Sequence, residues 1–419
     1  MNKRTFNRLL LSAAASSSGL PLSSPASAQP APPAGVSLAN WRNAPNNRRS
    51  FHHVEELLPV ATVKRGTNTS TLDASARSLG GFSLQIPNGP QLGLDAVLAA
   101  TSTDAMMVLL NGQVVHEFYG NGMSASSKHV LMSATKAVMG LLAGLLAQKG
   151  RLDVEAPVTK YVPEIGSGPY AGASVRHLLD MRAGIQFDEA QQTAYDEATG
   201  WESTQSGAAS AGLHAFFTTL RGPAQSHGGG FRYVSANTDL LGWVIERALG
   251  QPVPALLSEL LWAPLQVEQD AAITLDARGA PRCTGGLCAT ARDFARIGQL
   301  LVNKGRCGST QVVPAVLIDD LAQNGDRMAW ASGEWGAAFA PISKSMSYRS
   351  GWYTIDGTAQ TLFAMGVYGQ NLFVDRANGI VVAKFSSWAE PTDYRALGLT
   401  HMALGEIRRC LTDKAGGRA

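Results

Sequence analysis

The stretch Asp104–Gly120, DAMMVLLNGQVVHEFYG, decides the fold class. Two apolar runs flank Asn111-Gly112, a dipeptide that accepts the positive φ angles of a tight I′ turn, so the stretch reads as a β-hairpin. A second hairpin pattern lies near the other end: Gln370–Asp375, a turn at Asn378-Gly379, then Ile380–Ser386. Thr361–Gly369 supplies a further strand of that group. Strands at both ends, with mostly helical patterning between them, predict one antiparallel sheet that the chain leaves and later rejoins.

The intervening helices start with Val130–Gln148 and Asn237–Leu249, the latter stopped by Gly250. Thr290–Leu301 is amphipathic, with Ala291, Phe294, Ala295, Ile297 and Leu301 mostly at helical spacing. Tyr394–Cys410 is the last helix. The expected organisation is α+β, an antiparallel sheet flanked by terminal helices with an inserted, mostly helical lobe. Residues 46–135 and 265–412 would form the sheet-bearing lobe, 136–264 the helical lobe and 413–419 a tail. A site is expected in the cleft between the lobes. With 419 residues, 45% hydrophobic and 16% charged, the chain can bury a large core.

Residues 1–28 read as an export signal. Lys3, Arg4 and Arg8 precede the run Leu9–Ala15, and Ala26-Ser27-Ala28 offers the small side chains a signal peptidase cuts after. The apolar run is short and diluted by serine, which argues against a stable membrane anchor. Lys3-Arg4-Thr5-Phe6 faintly resembles a twin-arginine signal with Lys in first place. A periplasmic or secreted location is therefore expected, followed by a tether over 29–45. Losing those three cations takes the formal charge from +3 to zero, leaving no basic block to attract nucleic acid. Cys283, Cys288, Cys307 and Cys410 form no CxxC and have no histidine cluster beside them, so neither metal nor cofactor is expected. Three pairings are open to them.

The chemistry centres on Ser133 and Lys136. From Leu131 to Gln148, Lys136 is the lone charged residue, on a helix apolar all round and therefore buried. An ammonium there is costly, so its proton affinity should fall. Ser133, three residues earlier, shares its helix face. A serine beside a depressed lysine at a helix N-terminus is a candidate nucleophile. The SxxK pattern alone is weak, and an N-cap serine with a snorkelling lysine would produce it too.

Further motifs strengthen it. Ser174-Val175-Arg176-His177-Leu178-Leu179 with Ala183-Gly184, then Gly230-Phe231-Arg232-Tyr233-Val234-Ser235-Ala236-Asn237, and a late strand through Gly366-Val367-Tyr368-Gly369-Gln370-Asn371-Leu372 follow the SxxK in order. With them the chain resembles the class C β-lactamase-like serine hydrolases, which include family VIII carboxylesterases. Asn47-Arg48, His129–Ser133, Tyr233–Asp239, Thr290–Asp293 and Ser386-Ser387-Trp388 make it most similar to the 6-aminohexanoate-dimer hydrolases, from about Trp41 to Trp388. The resemblance implies that Ser133 attacks a carbonyl, Lys136 holds or relays its proton, and Tyr233 acts as a phenolate-like base and later as an acid. It implies that Ser235 and Asn237 extend the hydrogen-bond network, and that the N–H groups of Ser133 and Val367 form an oxyanion hole.

Two departures bear on substrate. The K-T-G position reads Ala364-Met365-Gly366, with no cation for a β-lactam carboxylate. Where the relatives carry a tyrosine beside the substrate amide, this chain has Gln191, with Tyr195 nearby. A small-molecule ester, or a small linear amide, is therefore the expected substrate. Gln191, Tyr195, Trp352 and Tyr368 are the candidate pocket residues, and Trp330, Trp335 and Tyr353 could add an apolar wall. The rival readings are a β-lactamase or D-amino-acid peptidase and, from another class, a non-catalytic ligand-binding or sensor protein. His227-Gly228-Gly229-Gly230 resembles the oxyanion loop of α/β-hydrolases, but the sequence has no G-x-S-x-G to accompany it. Sequence leaves the oligomeric state open.

Overall fold

The computed structural model describes residues 31–205, 207–223, 225–340, 343–355 and 360–413. The export signal with its cut after Ala28, and the tail beyond Asp413, lie outside the described residues. The first elements that place the site are β1 (Val60–Val63), β2 (Thr103–Leu110), β3 (Gln113–Tyr119), β4 (His129–Val130) and α1 (Thr135–Gln148). The middle of the chain supplies α2 (Val175–Leu179), α3 (Glu189–Ala198), α4 (Leu213–Thr219) and α5 (Ala236–Leu249). Then come β5 (Ala271–Thr274), β6 (Leu287–Ala289), α6 (Ala291–Val302), β7 (Ser347–Arg349) and β8 (Trp352–Thr354). β9 (Thr361–Gly366), β10 (Gln370–Asp375), β11 (Ile380–Ser386) and α7 (Tyr394–Thr412) complete the set.

β2 and β3 pair across Asn111-Gly112, whose φ angles of 51° and 84° are those a I′ turn requires. The main sheet has seven antiparallel strands in the order β7-β8-β9-β10-β11-β2-β3. β11, from late in the chain, lies directly against β2, from early in it. The α+β class and the sheet built from both chain ends are thus as the sequence predicts. Every residue of β10 and β11 is buried, because both faces are covered. On one face Phe294, Ile297 and Leu301 of α6 share a core with Leu372, Val374 and Val381. On the other, Leu404 and Ile407 of α7 pack with Met106, Phe373 and Val382. The α6 face approaches so closely that a Cβ on Gly298 would sit 2.5 Å from the Val381 side chain. Two helix ends follow the sequence closely: Gly250 closes α5 with φ 67°, and Thr290 caps α6 by accepting from the Asp293 N–H.

Three features differ from expectation. A second sheet, β1-β5-β6-β4, braces the chain just before Ser133. Its strands are two to four residues long, too short for alternation to reveal. The helix expected over 130–148 begins only at Thr135, because Val130 pairs with Cys288 in β6 and Met132 takes φ 47°. Ser133 therefore stands on a 3₁₀ turn, Met132–Ala134. The tether expected over 29–45 ends early. Trp41 is wholly buried, edge-on to Phe51 and Trp201, with its indole N–H on the Trp201 carbonyl at 3.1 Å. All four cysteines are free thiols, with Cys283 and Cys288 buried. Among the described residues no helix is long and apolar enough to cross a membrane.

One buried cation carries a stability consequence. Lys384 on β11 is 3% exposed, and its Nζ bonds to Ser386 Oγ. Burial pulls its affinity for a proton down, to a pKa of about 7, although Asp104 opposes this. Between about pH 7 and the usual lysine value near 10.4 the unfolded chain then holds a proton that the folded chain lacks. The resulting penalty is full below pH 7 and fades as pH rises through that window. Lys384→Met is expected to raise the melting temperature at pH 6 by about 3 °C or more, with a smaller gain near pH 10. Thermal melts of both proteins across this range check it, and a gain that grows with pH would contradict the assignment.

Candidate active site

The end of β9 and the turn before α1 meet backbone to backbone. A Cβ on Gly366 would lie 2.5 Å from the Leu131 carbonyl oxygen and 2.9 Å from the Met132 Cβ, so only glycine fits. The contact falls one residue before Val367, which is 40% exposed, and two residues after Leu131 comes Ser133. The two backbone segments expected to supply an oxyanion hole are therefore neighbours. On the far side of β9, Gly369 (φ 91°) makes the bend that lets the Trp388 ring lie against its backbone.

Lys136 is 3% exposed, and its Nζ lies 3.0 Å from Ser133 Oγ and 2.9 Å from the Thr284 carbonyl oxygen. Burial is the main cause holding its pKa well below the ordinary lysine value; Asp239 pulls the other way and Arg282 adds to the fall. The amine is thereby disposed to be neutral, with a lone pair that can accept the serine proton. Ser133 itself is half-buried, reachable from the cleft.

Tyr233 is the third member. Its ring centroid is 4.8 Å from Lys136 Nζ, and Trp335 stacks on it at 4.5 Å with planes 19° apart. Ser133 acts on the phenol in the sense that favours its ionised form. Burial nevertheless disfavours a resting phenolate at Tyr233. Burial raises its pKa above the ordinary tyrosine value, outweighing the opposing effects of Ser133 and Arg282. A neutral phenol beside a neutral amine can donate or shuttle a proton, whereas a resting phenolate would need the lysine to be charged. The Tyr233 loop is pinned from behind. The Arg182 side chain bonds the Gly228 and Gly229 carbonyls, and both His227 ring nitrogens meet carbonyls, of Ala183 at 2.7 Å and Ala171 at 3.0 Å. The glycine-rich HGGG segment is a loop anchor.

Other expected site residues are placed elsewhere. Asn237 is fully buried; its amide accepts from Tyr170 Oη at 2.9 Å and meets Met181 Sδ, so it braces α5 from below. Ser235 contributes its carbonyl, which accepts from the Thr284 hydroxyl at 2.6 Å. Gln191 closes a capping box with Asp188 at the start of α3 and bonds the Arg221 carbonyl, a structural use of its amide. Tyr195 is 2% exposed and bonds Asp239 and Arg282, so it is no pocket wall. Trp352 is wholly buried, its indole N–H on the Ala137 carbonyl, tying β8 to α1. Tyr368 packs edge-on to Phe51 at 5.0 Å. Ala364 lies in the core and offers no cation to the cleft. Of the late aromatics, Trp335 does reach the site, through Tyr233. Sequence reasoning missed Thr284, Asp239 and Arg282. A backbone carbonyl has no sequence signature, and an acid and a base 43 positions apart carry no spacing signal. Among the described residues there is no cluster of histidine, cysteine or acid side chains able to hold a metal.

Comparison with known proteins identifies the family. The family model described as Beta-lactamase matches residues 94–406. The 6-aminohexanoate-dimer hydrolase of Paenarthrobacter ureafaciens is 34% identical over 380 residues, covering 89% of this chain and 94% of that one. Esterase EstB of Burkholderia gladioli is 30% identical over 159 residues, 35% of this chain and 38% of its own. A solved Bacillus anthracis structure assigned as a 6-aminohexanoate-dimer hydrolase superposes with a TM-score of 0.80 at 25% identity, covering 93% of this chain and all of that one. A family VIII carboxylesterase shares the fold, with a TM-score of 0.55 at 18% identity over 75% of this chain and 96% of its own.

Proposed function

The chain belongs to the beta-lactamase family and is a serine hydrolase of the esterase and amidase kind, and from that premise we propose that it works through an acyl-enzyme on Ser133. The observation that carries the proposal is the buried amine of Lys136, 3.0 Å from Ser133 Oγ. The lone pair takes the hydroxyl proton as Oγ bonds to the substrate carbonyl carbon. The carbonyl oxygen gains charge and is met by the N–H groups of Ser133 and Val367. Tyr233, neutral and in reach of Ser133, passes a proton to the departing alcohol or amine. Water then cleaves the acyl-enzyme by the same steps in reverse order.

The substrate is proposed to be a small carboxylic ester or a linear amide of 6-aminohexanoate-dimer type. Gln191 and Tyr195 are both spent on structural bonds, which favours an ester, whose leaving group departs with less help. The chain is further proposed to be exported, with the signal cut after Ala28.

Ser133→Ala is expected to abolish acyl-enzyme formation, and mass spectrometry of a trapped acyl group on another serine would overturn the assignment. Tyr233→Phe keeps the ring that stacks on Trp335 and loses the hydroxyl alone. Its kcat is expected to fall by about 10²–10⁴ on an amide and by less on an activated aryl ester, whose leaving group needs no proton. Equal losses on both substrates would remove Tyr233 from leaving-group protonation.

Short-chain aryl esters are expected to turn over at least about tenfold faster than nitrocefin, since Ala364 provides no charged partner for a β-lactam carboxylate. Side-by-side kinetics check this, and faster nitrocefin turnover would favour the β-lactamase reading. For export, N-terminal sequencing of protein recovered from the periplasm or medium should begin at Gln29; protein beginning at Met1 would refute the signal.

A further inference from the structure

Behind the Ser133–Lys136 pair lies a buried ion pair. Asp239 on α5 is 4% exposed and Arg282, on the turn before β6, 7%. Arg282 Nη1 bonds Asp239 Oδ2 and also Tyr195 Oη, at 2.6 Å for the latter, while the Tyr195 O–H donates to Asp239 Oδ2 at 2.6 Å. The other carboxylate oxygen accepts the Thr284 N–H at 2.9 Å. Thr284 is thus gripped at three points. Its N–H goes to Asp239, its hydroxyl to the Ser235 carbonyl, and its own carbonyl receives an N–H of Lys136. Desolvating two ions is unfavourable and often no more than offset by their attraction, so a pair kept here is better explained by what it holds than by stability.

We propose that the Asp239–Arg282 pair, with Tyr195, is a positioning device for Lys136. By fixing the Thr284 peptide, it makes the carbonyl take one N–H of the amine and so aims the lone pair at Ser133 Oγ. The contacts leave room for a neutral amine. With one N–H on the Thr284 carbonyl and Ser133 Oγ 3.0 Å away, a deprotonated Nζ can turn its lone pair to the serine hydroxyl, with the Tyr233 ring centroid 4.8 Å distant. Were the Thr284 carbonyl to drift, the amine could turn its lone pair away from Ser133 without leaving its cavity.

The two charges also act on Lys136 in opposite senses, Asp239 favouring its protonated form and Arg282 disfavouring it. The other titratable groups facing the pair are Tyr170, which feels Asp239, Tyr195 and Asp196 of α3, the Cys283 thiol, and Tyr233. Asp196, raised to about 6 by burial, also feels Glu202 and Arg42, and the charges acting on Lys136 itself are those of Asp239 and Arg282. In the intact pair the two charges oppose one another at the amine. Removing either one uncovers the other.

This inference rests on Lys136 being the base. The test is the acid limb of kcat/KM against pH, on an aryl ester, for the full mature chain and its variants. Arg282→Met should move the limb up by about one pH unit and Asp239→Asn down by about one. A purely structural role would lower the plateau and leave the limb in place. Arg282→Lys keeps the cation; it should hold the limb and lower the plateau about tenfold, because an ammonium on a shorter stem does not reach Asp239 and Tyr195 as Nη1 does. Opposite shifts in the two neutral variants support the proposal. Unmoved limbs, or shifts in one direction, overturn it. Should the neutral variants fail to fold, Arg282→Lys decides: a plateau lowered at an unchanged melting temperature supports the proposal, and a wild-type plateau, or a loss matched by a lower melting temperature, overturns it. Lys136→Ala separates the two layers: wild-type turnover in that variant sinks the base assignment and this inference together, whereas a dead Lys136→Ala with unmoved limbs sinks the positioning role alone.

Discussion

A lysine buried inside an apolar helix, its proton affinity lowered by burial, is the constraint around which the rest of the molecule is arranged. Water would protonate the Lys136 amine, so the protein surrounds it with α1, the Thr284 peptide and the Tyr233 ring. Each of those needs its own support. The Tyr233 loop is held by Arg182 and His227, and the Thr284 peptide by Asp239. Excluding water strengthens every electrostatic effect left inside, which is why a carboxylate and a guanidinium acting through a peptide matter to one amine.

The two sheets divide the labour. The large one gives the rigid plate whose β9 end meets the backbone of the Ser133 turn. The small one clamps the chain entering the Ser133 turn, through Val130 and the Leu131 N–H on the Leu287 carbonyl at 2.8 Å. Between the two clamps, Met132 adopts a conformation that few side-chain-bearing residues hold unaided. The sharp turn presents Ser133 toward the cleft while Lys136, inside the first turn of α1, stays buried.

Elements whose reason is local were legible in the sequence. The Asn111-Gly112 turn, the Gly250 stop and the Thr290 cap each depend on residues within a few positions of one another. The pairing of early and late strands followed from apolar runs that no helix period explained. The site was legible where one segment sufficed, as for Ser133 and Lys136, and through the resemblance for Tyr233. It was illegible where side chains are spent on distant partners. Gln191 and Tyr195 have the chemistry of pocket residues, yet a helix cap takes the first and an ion pair the second. The burial that disfavours a resting phenolate at Tyr233 was illegible for a related reason: composition shows which charges exist, whereas only packing shows how much water each has lost.

The antiparallel contact of β11 with β2 joins late and early parts of the sequence inside the large sheet, one strand from its β3 edge. During synthesis the hairpin β2–β3 is made early and must wait, without its neighbour, until nearly the whole polypeptide has left the ribosome. So large a sequence separation makes closure slow and late, and it exposes an apolar strand edge meanwhile. The hairpin therefore gains its neighbour in the sheet only once β11 has been made, with α7 alone still to follow.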